Sequence, residues 1–398
     1  MEKKIKVLHI VNGLGFGGAE TWLLEIVRRN RGEVQFDFLL TGGVTRELDD
    51  EFLSCGCKLH YVPFSVKRIF SFARAFNRII REEKYTVIHD HEDFTAGWHF
   101  LLLLFHLPKV RISHAHNSML FIDCYAKTTG RTLFYKGGKL LNALLATSIT
   151  GTSHHLLNEL GYDRRPYLRK RIEPLYCGAR TESFRFDQSL RQSTREKWGF
   201  SENDKVVIFI GRIGLTRDED INHKNPEFAV AVARMLAESD RSFKFLFVGE
   251  KGKLGLSFES EMAALGLGQN IFFPGKRKDV NELLIAADLM LFTSTTEPFG
   301  LVLAEAQFSA LPIVASDIIT REVVIFPELF HLLDVGKGEK EEWTTAINDF
   351  FHSGFQRNTF ATEHRDEITN SDFSIESSYQ RLLRIYEGLP GPNLKITK

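Results

Sequence analysis

The stretch Asp288-Leu289-Met290-Leu291-Phe292-Thr293, with Glu297-Pro298-Phe299-Gly300-Leu301-Val302-Leu303-Ala304-Glu305 just after it, decides the fold of this 398-residue chain. The first segment is a short apolar run of the kind that fills a buried parallel strand. The second puts a glycine turn at the head of an apolar helical segment. The order is therefore strand, acidic loop, helix N-terminus, and a second carboxylate inside the helix. A helix N-terminus carries N–H groups without intrahelical partners and a partial positive charge. Phe299, Gly300 and Leu301 would offer those groups to an anion such as a diphosphate, with Gly300 letting the backbone come close. Side chains lean toward the N-terminus of their helix, so Glu305 would point back at the anion and accept hydrogen bonds from ribose hydroxyls. Glu297 precedes the helix and would meet the ligand on the other side of the phosphates. The plain alternative is a strand–loop–helix with two surface acids.

Working outward, the chain reads as two α/β halves. The first opens with the strand Val7–Val11, the turn Gly13-Leu14-Gly15-Phe16-Gly17-Gly18, and a helix with Trp22, Leu23, Ile26 and Val27 on one face. Further strands are expected at Phe36–Leu40, Thr86–His89, Val110–His114 and Ser148–Gly151. The second half restarts at Val206–Ile210 and continues at Lys244–Val248, Ile271–Phe273, Asp288–Thr293 and Ile313–Ser316. Strands alternating with helices imply parallel sheets covered on both faces. The polar stretch Arg185–Lys205 reads as a linker, which sets domains at 1–185 and 186–373. The final helical segment 374–398 is expected to return to the first domain, with a frayed tail from Pro390. The apolar run Trp98–Leu107 is about half of what a membrane span requires and reads as a buried helix.

Several residues stand where chemistry is done in such folds. Gly15, Gly17 and Gly18 lie in a strand-to-helix turn that could cradle phosphate, although a lone glycine motif is weak and no acid follows some twenty residues on, as a nicotinamide site needs. Arg212 ends the first strand of the second half. Lys224 precedes Pro226, which suits a first helical turn. Two cations at strand ends of an open parallel sheet would neutralise a diphosphate and stabilise a leaving group. His89-Asp90-His91 and His114-Ala115-His116 end strands, and their period-two spacing puts each pair on one face. A metal reading would need further ligands, so no metal is expected. Lys67, Arg68, Arg74, Arg78 and Arg81 punctuate a helix, Lys127, Arg131, Lys136 and Lys139 lie in a segment without acids, and Arg164 to Arg171 adds more cations. They suit an anionic membrane surface or a lipid-diphosphate acceptor, with a solvated basic face as the plain alternative.

Composition sets the outer bounds. Hydrophobic residues make up 43% and charged residues 26%, ordinary for a globular protein, and the formal net charge is zero, so nothing argues for nucleic acid. Cys55, Cys57, Cys124 and Cys177 are too scattered for a disulfide framework, and Cys55-Gly56-Cys57 is too tight for common zinc spacing. A reducing cytoplasm is expected, and Met1–Lys6 does not read as a signal peptide.

The segment 297–305, continued by Ala306-Gln307 and by Ala310-Leu311-Pro312-Ile313-Val314-Ala315-Ser316-Asp317, resembles the E-x7-E motif of retaining glycosyltransferases of family 4. The likeness runs from Val7 to about Tyr386. It implies the GT-B fold, with two Rossmann-like domains facing across a cleft. It also implies a nucleotide-sugar donor, by default a uridine diphosphate sugar, and a glycan or lipid-linked acceptor. Bacterial capsule, exopolysaccharide or lipopolysaccharide synthesis is the implied setting. On this resemblance Glu297 and His116 are the catalytic candidates, with His116 contacting the transferred sugar or helping to position the acceptor, and His91 near the same cleft. Arg212 and Lys224 would hold the diphosphate, Glu305 the ribose, and the glycine loop would approach donor and acceptor. A longer segment from Ile213 to Asn222, carrying Asp218, Glu219 and Asp220, departs from the family pattern before Lys224. Nothing resembles the paired acids of metal-dependent transferases, so no divalent metal is expected, and no cofactor is expected beside the nucleotide-sugar donor substrate. The alternatives are a sugar-nucleotide epimerase, a phosphorylase, or a catalytically silent sugar-nucleotide-binding protein.

Overall fold

The computed structural model describes residues 5–164, 172–214, 222–336 and 339–389. The chain divides into two compact units, 1–179 with 372–398, and 180–371. The boundaries expected from the sequence lay at 185/186 and 373/374. The expected cations Arg165, Arg169, Lys170 and Arg171, the acids Asp218, Glu219 and Asp220, and the tail 390–398 fall outside the described residues.

The first unit is a parallel sheet of β1 (Ile5–Val11), β2 (Val34–Leu40), β3 (Leu59–Tyr61), β4 (Val87–Asp90), β5 (Val110–Ala115), β6 (Ser148–Gly151) and β7 (Ile172–Pro174). The strand order is β3-β2-β1-β4-β5-β6-β7. The order reverses between β1 and β4, which opens a crevice at the carboxyl ends of those strands. One face of the sheet buries Leu8, Ile10, Ile88 and Ile149 against Phe72, Phe76 and Phe100 from covering helices. On the other side, Trp22 of the helix Gly18–Arg29 is fully buried and donates to Ser378 Oγ at 2.8 Å, which ties in the C-terminal helix Ile375–Tyr386.

The second unit contains β8 (Lys205–Ile210), β9 (Phe243–Val248), β10 (Ile271–Gly275), β11 (Leu289–Phe292), β12 (Ile313–Ser316) and β13 (Phe330–Leu333). These run parallel in the order β10-β9-β8-β11-β12-β13, with the reversal between β8 and β11. All ten expected strands form, with ends displaced by a residue or two. The missed strands β3, β7 and β13 lie at or next to sheet edges and are three or four residues long, too short for a periodic signal.

Two local expectations need correction. The stretch Arg185–Lys205 is not a linker, because it holds the helix Gln188–Trp198, capped by Asp187 accepting from Leu190 N at 2.8 Å. Arg195 of this helix donates to Asp288 Oδ2 at 3.2 Å and to the Ala286 carbonyl at 3.1 Å, and Arg191 pairs with Asp288 Oδ1. Its polarity thus serves binding to the second unit's own carbonyls and to Asp288. The run Trp98–Leu107 is not one buried helix either. The helix ends at Leu102, and Phe105 beyond it is 91% exposed.

Candidate functional site

In the second unit the carboxyl ends of β8 and β11 carry the candidate residues. Gly300 takes φ 85°, a left-handed conformation that only glycine adopts cheaply, and starts the helix Leu301–Phe308 with no side-chain cap. A Cβ at this position would also meet Leu303 Cδ1 at 2.9 Å. No side chain caps the first N–H groups of the helix, while Leu303 N donates back to the Gly300 carbonyl at 2.8 Å. Glu305 follows inside the helix. Its carboxylate makes no hydrogen bond or ion pair among the described residues, and burial pushes its pKa up to about 8.

Lys224 and Glu297 are brought together as a direct ion pair. The loop that carries Lys224 is held from two sides. Thr293 Oγ1, at the end of β11, donates to the carbonyls of Lys224 and Asn225 at 3.0 Å each. Asn222 accepts from Lys224 N at 3.0 Å through its Oδ1, while its Nδ2 donates to Arg212 O at 2.8 Å and to Ile213 O at 3.1 Å. Asn222 thus locks the Lys224 loop to the backbone of Arg212. Sequence reading missed it, because one asparagine in a polar loop has no pattern. The loops after β8 and β9 also pack closely: a Cβ on Gly249 would stand 1.9 Å from Gly211 O, and one on Gly214 would stand 2.8 Å from Gly252 Cα.

In the first unit the turn after β1 forms with no left-handed residue among Gly15, Gly17 and Gly18. A Cβ on Gly18 would meet nothing within 4 Å, so the fold itself does not demand glycine there. His116 follows β5 and is held by Asp93. Asp93 Oδ1 accepts from the backbone N–H of His116 at 2.7 Å and of Asn117 at 3.2 Å, and Oδ2 accepts from Asn117 Nδ2 at 2.6 Å. Burial raises the Asp93 carboxyl to about 6 despite these bonds. The Asp93 carbonyl accepts from Asn142 Nδ2 at 2.9 Å. Asn142 reaches it because the helices Thr95–Leu102 and Thr129–Leu145 cross on glycines, where a Cβ on Gly97 would lie 2.2 Å from Gly138 O. Asp93 and Asn142 were also not foreseen.

The paired histidines behave as the period-two spacing implied. His89 and His91 have ring centroids 4.1 Å apart, and His114 and His116 4.2 Å. They are joined by His9 of β1, which faces His89 in the β1–β4 register, and by Tyr386 of the C-terminal helix. Neither was a sequence candidate, although a histidine inside an apolar strand always needs a partner. Ring nitrogens of His9, His89 and His91, and of His91, His114 and His116, lie within 4.8 Å of one another, a spacing a metal ion could bridge. Several of those nitrogens are already paired with one another: His9 Nδ1 with His91 Nε2 at 2.9 Å, and His91 Nδ1 with His116 Nε2 at 2.9 Å.

Two Rossmann-like units of parallel strands, with polar residues gathered at carboxyl strand ends, are the architecture of GT-B glycosyltransferases. Residues 16–183 match the family described as Glycosyltransferase Family 4, and residues 191–367 match Glycosyl transferases group 1. The chain belongs to the glycosyltransferases that combine these two domains. It is 27% identical over 321 residues to the glycosyltransferase EpsF of Bacillus subtilis (strain 168), covering 80% of each chain. It is 26% identical over 319 residues to the capsular polysaccharide biosynthesis glycosyltransferase CapH of Staphylococcus aureus, covering 79% of this chain and 82% of CapH. Among solved structures, Anabaena HepE in complex with UDP superposes with a TM-score of 0.77 at 18% identity, over 97% of this chain and 100% of HepE.

Proposed function

We propose that this glycosyltransferase moves a sugar from a nucleoside diphosphate sugar, by default a uridine one, to a hydroxyl of a glycan or lipid-linked acceptor, with retention at the anomeric carbon and without a divalent metal. The setting we assign is synthesis of a capsule, exopolysaccharide or lipopolysaccharide. The observation that carries this reading is Glu305: a desolvated carboxylate without a partner, inside a helix whose uncapped N-terminus begins at a left-handed glycine. An anion at that N-terminus and ribose hydroxyls on Glu305 would satisfy both. The solved complexes of HepE with UDP and with UDP-glucose support a nucleotide-sugar ligand for this fold.

In this reading the N–H groups of Phe299, Gly300 and Leu301, with Arg212 and Lys224, hold the diphosphate and take up the charge that develops as the sugar leaves. Lys224 exchanges part of its pairing with Glu297 for a phosphate oxygen. Glu297 then orients sugar hydroxyls or offsets positive charge at the anomeric centre. His116 contacts the transferred sugar or acceptor, and Gly15, Gly17 and Gly18 leave room for ligand at the other turn. The leaving phosphate accepts the acceptor's proton on the same face, which preserves configuration and needs a well-held acceptor more than a strong base.

The same proposal gives the first unit a peripheral contact with an anionic membrane, on the cytoplasmic side. No helix among the described residues is long and apolar enough to cross one. Phe70 is 88% exposed, beside the exposed cations Lys67, Arg68 and Arg74. Leu133, Leu140 and Leu144 form an exposed stripe on the helix Thr129–Leu145, with Lys136 among them. Apolar side chains set among cations match an interface of acyl chains and anionic headgroups.

A thermal-shift screen against uridine, guanosine, adenosine and thymidine diphosphates tests the donor assignment, with Glu305→Ala alongside. One base should stabilise the wild type and not the variant, and its sugars should then be hydrolysed or transferred. Failure of every nucleotide would remove the donor assignment. For the membrane, Phe70→Ser with Phe105→Ser should abolish co-sedimentation with anionic vesicles. Sedimentation that is indifferent to lipid charge would count against that part.

A further inference from the structure

Every ring nitrogen of His9, His89 and His91 is engaged, and the bonds form one unbranched chain. His114 Nδ1 meets His89 Nε2 at 3.2 Å, and His89 Nδ1 meets the Tyr386 hydroxyl at 3.0 Å. The hydroxyl meets His9 Nε2 at 3.2 Å. His9 Nδ1 meets His91 Nε2, and His91 Nδ1 meets His116 Nε2, both at 2.9 Å. A neutral imidazole has one donor and one acceptor. The phenol oxygen could accept from both of its neighbours, but its own buried O–H would then lack an acceptor. Every proton inside the chain is satisfied only if donation runs in a single direction, so that reversing one link reverses them all. The rings are neutral: burial lowers the pKa of His9 to about 3 and of His116 to about 4, and pushes His89, His91 and His114 well below the usual histidine value.

The far end is a fixed, buried environment, which favours one direction of donation over the other. His114 Nε2 is buried, and the Leu175 backbone carbonyl raises the pKa of the ring against the effect of burial. At the near end, His116 keeps part of its surface accessible, and its Nδ1 has no partner among the described residues.

We propose that His114, His89, Tyr386, His9 and His91 act as positioning residues that hold His116 in a single neutral tautomer, so that its Nδ1 meets the ligand in one hydrogen-bonding role. Donation toward His116 would make Nδ1–H a donor to a hydroxyl or phosphate oxygen, and the opposite direction would make Nδ1 an acceptor. The assignment rests on the proposed role of His116 at the transferred sugar or acceptor. It also gives the C-terminal helix a function beyond packing, since Tyr386 is the one non-imidazole link.

Nitrogen-15 spectra of histidine-labelled protein test this, with the His116 signals assigned by loss in His116→Gln. In the wild type, His116 should carry its proton on one ring nitrogen alone, and that nitrogen gives the direction of the chain. In Tyr386→Phe, which keeps the ring and removes the link, His116 should leave that single tautomer, and kcat should fall by about tenfold with little change in donor KM. A mixture of tautomers at wild-type His116, or unchanged signals in a folded Tyr386→Phe protein, would overturn the chain. So would a stoichiometric metal on these nitrogens. A tautomer change with unchanged kcat would leave the chain standing and instead remove His116 from the transfer step.

Discussion

Glu305→Gln should stabilise the protein above neutral pH while destroying its affinity for nucleotide. Burial holds the Glu305 pKa at about 8, against 4.5 for an ordinary glutamate. Below the unfolded value both states are protonated, and the group contributes nothing. As pH rises from about 4.5 to about 8 the unfolded chain ionises while the folded one holds its proton, so stability falls across that window and levels off above it. For a fully dry carboxylate the gap amounts to about 5 kcal/mol. Glu305 is only partly buried, and water screening reduces this to about 1–2 kcal/mol. Glutamine has no charge to bury, so at pH 8.5 the variant should melt about 2–8 °C above the wild type, and at pH 4 the two should coincide. Ribose hydroxyls donating to the ionised carboxylate would lower its pKa again, so nucleotide binding by the wild type at pH 7 should release a proton. Calorimetry in buffers of different ionisation enthalpy reads that proton directly. A variant that gains nothing at pH 8.5 and still binds nucleotide would refute the reasoning at both ends.

Three other outcomes follow from the same geometry. Gly300→Ala forces a side chain into a left-handed position at φ 85° and against Leu303, so chemical denaturation should show a loss of about 1–3 kcal/mol with weaker nucleotide binding; a neutral variant would contradict the turn. Asp93→Ala leaves the N–H groups of His116 and Asn117 without their acceptor and should cost about 2–4 kcal/mol by urea unfolding, with a fall in transfer rate at constant donor KM. The buried histidines have folded pKa values below the unfolded one, so their stability is present above about pH 6.5 and is lost as pH falls toward the values near 4 and 3; melting should drop steeply between pH 6 and 4, and a maximum in that window would contradict the neutral chain.

The sheet architecture was legible because parallel strands buried on both faces are continuous apolar runs, and ten of these stood out. The candidate residues of the second unit were legible for a related reason. Gly300, Glu305 and Arg212 sit at fixed offsets from strand ends, where the fold puts ligands. What escaped depended on contacts distant in sequence. His9 and Tyr386 are 377 residues apart and meet only once the C-terminal helix docks. Asn222 gains meaning only where Arg212 and Lys224 share a crevice end. Arg195 looked like linker polarity until Asp288 and the Ala286 carbonyl stood beside it. Single polar residues in loops carry no period, and their partners are set by tertiary structure.

The most direct test of the central claim is equilibrium binding of uridine diphosphate in the presence of EDTA, for the wild type and for Arg212→Met. The account predicts one site per chain in the wild type, unaffected by the chelator and weakened about tenfold or more without the guanidinium. Binding that appears only with added magnesium, or that survives the loss of Arg212 unchanged, would contradict a diphosphate site built from side-chain cations and a helix N-terminus.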